Sequence, residues 1–307
     1  FTKGTKYHSK SLLFRLGNRE KLPLEFEFGL IMATQFGGSQ YLKNAQGEVS
    51  KTMDMPDDLG AYWSAFFPQA GGDDTIEGEQ KNVEGNMLGS WNFALNCYLN
   101  NWKFRVYLDH YFEDHSQMFW EYGRWKDGQL GIEITPPQNR WITSVVWEGF
   151  STYDQTGPIQ YEDRWGSFPG MQTSGADNYY NHSIYNAWQH YGMAMGNPLL
   201  PGPAYNADGS ITFRSNRVKA QHIGFCGNPT DEWSWRVLAT YARYWGTYAT
   251  PLDKVRKQAY TLAEVSYRPA WAKGWSVTLA GAMDRGNYLG NSTGGSLTLR
   301  KTGSLLK

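Results

Sequence analysis

The segment 151–216 concentrates side chains suited to holding a carbohydrate. Tyr153, Tyr161, Trp165, Phe168, Tyr179, Tyr180, Tyr185, Trp188 and Tyr191 are interleaved there with Asp163, Arg164, Asp177, Asn178, Asn181, His182 and His190. A sugar ring offers C–H faces that stack on aromatic rings, and hydroxyls that seek amide, carboxylate, guanidinium or imidazole partners. Trp165, Tyr179, Tyr180, Trp188 and Tyr191 are therefore the candidate stacking platforms, with Asp177, Asn178, Asn181 and His182 as hydroxyl partners. A loop of this length also needs a core of its own, and aromatic rings serve that purpose equally. The run Ile184, Asn186, Trp188, His190 against Tyr185, Ala187, Gln189, Tyr191 alternates as a short strand does, which sends Trp188 and Tyr191 to opposite sides. A second aromatic cluster, Tyr62, Trp63, Phe66 and Phe67, lies in the segment 34–86.

Catalytic constellations are weaker. Asp57/Asp58, Asp73/Asp74 and Glu162/Asp163 pair carboxylates as a glycosidase does, but adjacent strand residues point to opposite sides and these pairs fall in loops of no fixed spacing. Glu113, Asp114 and His115 read as the solvated start of a loop. The six histidines show no HExxH-like spacing, and Cys97 and Cys226 form no CxxC pair, so neither a metal site nor a disulfide framework is expected. Asn206 to Ser210 reads as an Asx-type turn, with too few oxygen ligands for a calcium loop. The chain is expected to be non-enzymatic and to need no cofactor.

The elements that must carry these loops are strands. With 29 basic and 29 acidic residues, the whole-chain charge gives no electrostatic argument for nucleic acid. Fourteen Trp and 20 Tyr accompany 34 Gly, at a mean hydropathy of -0.59. Aromatic girdles at two interfaces explain that combination, as does a soluble glycan-binding β protein. No apolar run is long enough for a membrane-crossing helix. Period-2 alternation dominates instead. Trp102, Phe104, Val106 and Leu108 oppose Lys103, Arg105, Tyr107 and Asp109, and the pattern recurs near 24–32, 91–99, 233–241 and 275–284. Such runs of about ten residues suffice for a tilted strand to cross a bilayer.

Eleven strands are expected, over 6–16, 23–33, 87–99, 102–112, 128–135, 140–150, 217–226, 232–244, 257–267, 274–284 and 294–303. Short links, such as Asn100-Asn101, alternate with long ones over about 34–86, 113–127, 151–216 and 245–257. Short turns on one side and long loops on the other mark an outer-membrane barrel. The expected fold is thus all-β: a single antiparallel transmembrane β-barrel domain over 1–307, with long extracellular loops near 34–86 and 151–216. Trp102, Phe104, Val106 and Leu108 are expected to face lipid. Lys103, Arg105, Asp109, Arg236 and Glu264 give the inner face mixed charge, suited to polar filling more than to a conducting path. An odd strand count leads to the expectation that N-terminal strands are missing or that one further strand lies within 151–216, at Ser183 to Tyr191 or Ser210 to Arg214. The opening Phe1-Thr2-Lys3-Gly4, with neither Met nor leader, leads to the expectation that processing or truncation has removed the true start.

Several short motifs add to this. The stretch Gly175–Leu199 resembles the capsule-assembly Wzi family as found in Bacteroidetes-type bacteria, and so do Tyr111–Phe119, Trp125–Gly128, Tyr205–Ser210, Tyr244–Tyr248 and Leu297–Gly303. The resemblance covers 100–303 well and the first hundred residues weakly. It implies an outer-membrane barrel of about eighteen strands, of which this chain supplies the C-terminal part, acting as a lectin that holds capsular polysaccharide at the surface of a Gram-negative cell. The implied partners are capsular or other surface polysaccharide, outer-membrane lipids and other outer-membrane proteins. The alternatives are a porin-like channel for glycans or solutes, and a structural barrel subunit of a larger outer-membrane assembly.

Overall fold

The computed structural model describes residues 1–17, 21–44, 46–67, 85–113, 115–118, 126–137, 139–157, 159–162, 171–174, 177–207 and 209–303. Its frame is one eleven-stranded antiparallel sheet in which each strand pairs with the next along the chain. The strands are β1 (Lys6–Gly17), β2 (Leu24–Phe36), β3 (Asn86–Leu99), β4 (Trp102–Phe112), β5 (Gly128–Thr135), β6 (Ser144–Ser151), β7 (Val218–Gly227), β8 (Trp233–Gly246), β9 (Pro251–Tyr267), β10 (Trp275–Gly286) and β11 (Ser292–Lys301). All eleven expected strands are present. β6 starts later than expected because Asn139 Oδ1 accepts from the backbone N–H groups of Trp141 and Ile142 and closes a turn there. The long link expected over 245–257 is instead a tight turn: Thr247 and Thr250 bond to each other, and β9 resumes at Pro251.

Register sorts the side chains into two faces. Phe28, Phe93 and Leu108 are direct neighbours across β2, β3 and β4, as are Phe26, Leu95, Val106, Ile132, Trp147 and Ile223 across β2 to β7. The same face continues through Val237, Ala263, Gly281 and Gly295 to the last strand. It remains exposed from Phe14 and Leu16 on β1 to Leu297 and Leu299, at 73% and 65%, on β11. Trp102, Trp233 and Trp275 end this band on the side of the short turns, where Trp141 and Trp271 are also exposed.

The other face is polar and internally paired. Arg105 reaches Glu27 at 3.2 Å, Arg15 reaches the same carboxylate at 2.7 Å, and Arg236 meets its cross-strand partner Glu264 at 3.0 Å. Asn92 donates to Asp109, Gln129 to Glu148, and the Tyr107 hydroxyl also to Glu148. Tyr107 spans two strands because its ring lies over its cross-strand partner Gly131, where a Cβ would collide with it.

A cap formed by 177–216 packs on this polar face at the end with the long links. Tyr180, Ala187, Trp188, Leu200 and Phe213 form one core with Phe150, Val218, Ala220, Ala242 and Tyr244 from the sheet. Ala33, Leu88, Tyr111 and Tyr260 join its edge, and Tyr7 of β1 meets Trp188 edge-on at 6.4 Å. In a flat sheet β1 and β9 would stand about 38 Å apart, whereas a globule of about forty residues is roughly 23 Å across. The sheet therefore curls around the cap. Its outer strands, β1 and β11, do not pair with one another.

The described part of the segment 34–86 touches the cap at its edge, where Met55 packs with Ile184 and Tyr185; residues 68–84 lie outside the described residues. Gly38–Lys43 and Val49–Met55 make a hairpin joined by Thr2–Lys3, and the helix α1 (Leu59–Phe66), capped by Asp58, packs on the rim of β1 and β2. There Phe66 and Tyr62 flank His8, while Trp63 and Phe67 stack in parallel at 5.9 Å and stay exposed.

Candidate functional site

The cap is built on amide side chains. Asn181 donates to the Phe213 carbonyl at 2.9 Å and accepts from the Phe213 N–H at 2.6 Å, so one side chain ties the two ends of the cap together as a backbone strand would. Asn216 donates to Asn178 Oδ1 and to the Tyr179 carbonyl. Glu113, from the end of β4, accepts the N–H of Tyr180, and the Tyr180 hydroxyl accepts the N–H of Asn197. Tyr180 and Ala187 hold φ of 71° and 60°, in the left-handed region that side chains other than glycine rarely occupy. Trp188 N–H to the Tyr180 carbonyl, and Gln35 Nε2 to the Ala187 carbonyl, fix the backbone there.

Beneath the cap, Asp127 is buried between the sheet and the turn at 154–157. It accepts the N–H groups of Asp154 and Gln155 and a hydrogen bond from the Ser151 hydroxyl. Burial nevertheless pushes its carboxyl up to about 6. His182 behaves in the opposite sense: Nδ1 accepts from the N–H groups of Ile184 and Tyr185, so the ring is neutral, and burial pulls it down to about 4.

The candidate site residues separate into distinct groups. Tyr179, Tyr180 and Trp188 lie in the core, each under 5% exposed. Asn181 is buried and saturated by its backbone contacts, and Asn178, although exposed, spends its oxygen on Asn181 and Asn216. Asp177 and His182 are half-buried at the edge. Tyr191 stands apart at 90% exposure, on the two-residue turn between Gln189–His190 and Met193–Ala194, with the His190 ring 4.4 Å away. The alternating strand expected over 184–191 is not formed: only Gln189–His190 is extended, and Ile184, Tyr185, Ala187 and Trp188 are all buried. Trp165 lies outside the described residues. Exposed near Tyr191 in sequence are also His190, Met193 and Tyr205. Sequence reasoning missed Asp127, Gln155 and Asn216, whose roles depend on partners far along the chain.

Chemically, the cap offers a rigid surface with exposed rings and amides. Among the described residues no group of three or more His, Cys, Asp or Glu is placed to hold a metal ion. No protein-family model, curated protein or solved structure matches the chain.

Proposed function

We propose that this chain forms the wall of an outer-membrane β-barrel whose capped end faces outward and binds surface polysaccharide, as a non-enzymatic lectin of the Wzi type. The observation that carries the membrane part is the exposed apolar face. Monomeric soluble proteins seldom present an apolar patch above a few hundred Å², whereas here it crosses every strand. Its height fits as well. Trp233 to Arg243, Tyr267 to Lys257 and Trp275 to Arg285 each span ten residues between an aromatic and a basic side chain on this face. That is about 34 Å of strand, or about 25 Å once tilted as barrel strands are.

β1 and β11 occupy odd positions in the meander and so run in the same direction. An all-antiparallel closure thus takes an odd number of further strands between them. The cap on the concave face favours a plugged barrel over an open channel. The lectin part rests on the family resemblance and on the exposed cap residues Tyr191, His190 and Tyr205.

The test is binding of purified capsular polysaccharide to detergent-solubilised protein, beside fractionation of the expressing cells. We expect recovery with outer membranes. Tyr191→Ala should weaken binding by about tenfold, the worth of one stacked ring, with thermal stability unchanged. Recovery as a detergent-free soluble monomer sinks the barrel. Absence of any polysaccharide binding by the folded protein sinks the lectin.

A further inference from the structure

The apolar face ends, towards the cap, in a row of like charges. Lys219 on β7 is the direct cross-strand partner of Arg243 on β8, which is the direct partner of Lys257 on β9. Cations set opposite one another destabilise a sheet unless an anion lies between them. Among the described residues none of the three has a carboxylate ion-pair partner. The acidic groups nearby are engaged elsewhere, Asp154 with Lys126 at 3.3 Å and Asp253 with Arg256 at 2.8 Å. Two of the cations are also held in place by aromatic rings. Lys219 lies over Tyr153 at 4.5 Å and Arg243 beside Trp245 at 5.5 Å, while Tyr153 and Trp245 meet edge-on at 4.7 Å. Arg217 is clamped between Tyr153 and Tyr248, at 4.3 and 3.9 Å, and stiffens the assembly from behind.

A groove of about 600 Å³ opens beside this row. Lys219, Arg243 and the Lys126–Asp154 ion pair line its upper side, and Leu108 and Leu130 line it below. Gly149, the cross-strand partner of both Leu130 and Gln221, carries no side chain and leaves a trough between them. A cationic rim above an apolar trough matches a molecule with phosphate at one end and hydrocarbon at the other.

We propose that this groove binds a phosphorylated, acylated glycolipid of the outer leaflet, its phosphate on Lys219, Arg243 and Lys257 and an acyl chain along Leu108, Gly149 and Leu130. The proposal rests on the membrane reading above. The site lies on the convex face, away from the cap, and makes no use of the polysaccharide surface.

The experiment reconstitutes the protein and the variant K219Q/R243Q/K257Q into phosphatidylcholine bilayers, then measures retention of lipid A against phosphatidylcholine by native mass spectrometry. Both proteins should insert, and the wild type should retain lipid A preferentially. The variant should lose that preference on the order of a hundredfold, the product of three cations near an anionic surface. Without lipid A the variant should melt at a higher temperature than the wild type, because its cross-strand repulsion is gone. If the triple variant does not fold, Arg243→Gln carries the test, with an expected loss of about fivefold. Insertion of both proteins with equal lipid A retention overturns the site and leaves the barrel standing. Displacement of lipid A by inorganic phosphate at equal concentration assigns the row to free phosphate and overturns the lipid. Failure of both proteins to insert into neutral bilayers removes the membrane reading, and this proposal with it.

Discussion

The wall beneath the cap and the wall of the last two strands are made of the same kind of strand but are finished differently. Along β6, β7 and β8 the long link between β6 and β7 folds back to bury Phe150, Val218, Ala220, Ala242 and Tyr244. On β11 every residue is exposed, and its inward positions are Ser292, Gly294, Ser296 and Thr298, with Arg300 at the short-turn end. The covered wall draws its stability from tertiary packing of large rings. The bare wall offers small inward residues to whatever fills the interior and leucines to whatever surrounds it. Identical alternation in sequence therefore supports two regimes, one set by the protein's own core and one by its solvent.

The sharpest way to test that contrast is to truncate one residue of each kind. Trp188→Ala, in the cap core, should cost about 3–5 kcal/mol in denaturant unfolding from detergent, with any loss of polysaccharide binding following the loss of structure. Leu297→Ala on β11 should cost much less in the same detergent. Comparable losses would mean that β11 is packed in a way its exposure does not reveal.

Next in size is a charge in the exposed band. Val106→Arg places a guanidinium among Leu95 and Ile132 and should cost roughly 2–4 kcal/mol if the band spans a bilayer near its midplane. Refolding yield into vesicles reads this directly. The same substitution at Tyr107, on the paired polar face, should be tolerated for insertion. Reversed sensitivities would exchange the two faces.

The smallest effects are pH-dependent and sit within the covered region. Asp127 holds its proton up to about 6, above the ordinary 3.8, so its stabilising contribution is complete below 3.8 and is lost as pH rises through about 6. His182 is depressed to about 4 from 6.5, so its contribution is present above 6.5 and is lost as pH falls through about 4. The two slopes oppose each other over the same interval. Relative to wild type, Asp127→Asn should become less stable as the pH drops from 6 to 4, and His182→Asn more stable. Melting temperatures across that range check both signs, and parallel curves for the two variants would refute the assignment.

Much of the frame was legible because strand alternation has a period of two and continues for ten residues at a time. Trp102 to Leu108 reveals its faces without reference to any neighbour. The link expected over 245–257 shortens because β9 begins six residues earlier than its alternation suggests, at Pro251. In the structure Gly246, at φ 86°, makes the irregularity that ends β8, and Pro251 sits at the first residue of β9, where its missing N–H is tolerated. The cap was less legible. Nothing local distinguishes Tyr180, which is buried, from Tyr191, which is exposed; Glu113 and Phe213 decide it, from 67 and 32 residues away in the chain for their bonds to Tyr180 and Asn181. The choice between packing and ligand contact is made by such distant partners, which residue composition does not encode.

The contact between Thr2 and the cap bears on the order of assembly. The Thr2 N–H donates to Asn186 at 2.8 Å, its hydroxyl donates to the Ile184 carbonyl, and Asn186 returns a bond to the Thr2 carbonyl, all across more than 180 residues of chain. The hairpins of β8 to β11 close over short separations and can zip one after another. The cap must wait until the strands on both of its sides have arrived, since loops of that length close only at an entropic cost that neighbouring hairpins do not meet. Amide protons of Trp188 and Phe213 should accordingly become protected late in refolding, after those of β8 to β11, with Thr2 latching the cap in place.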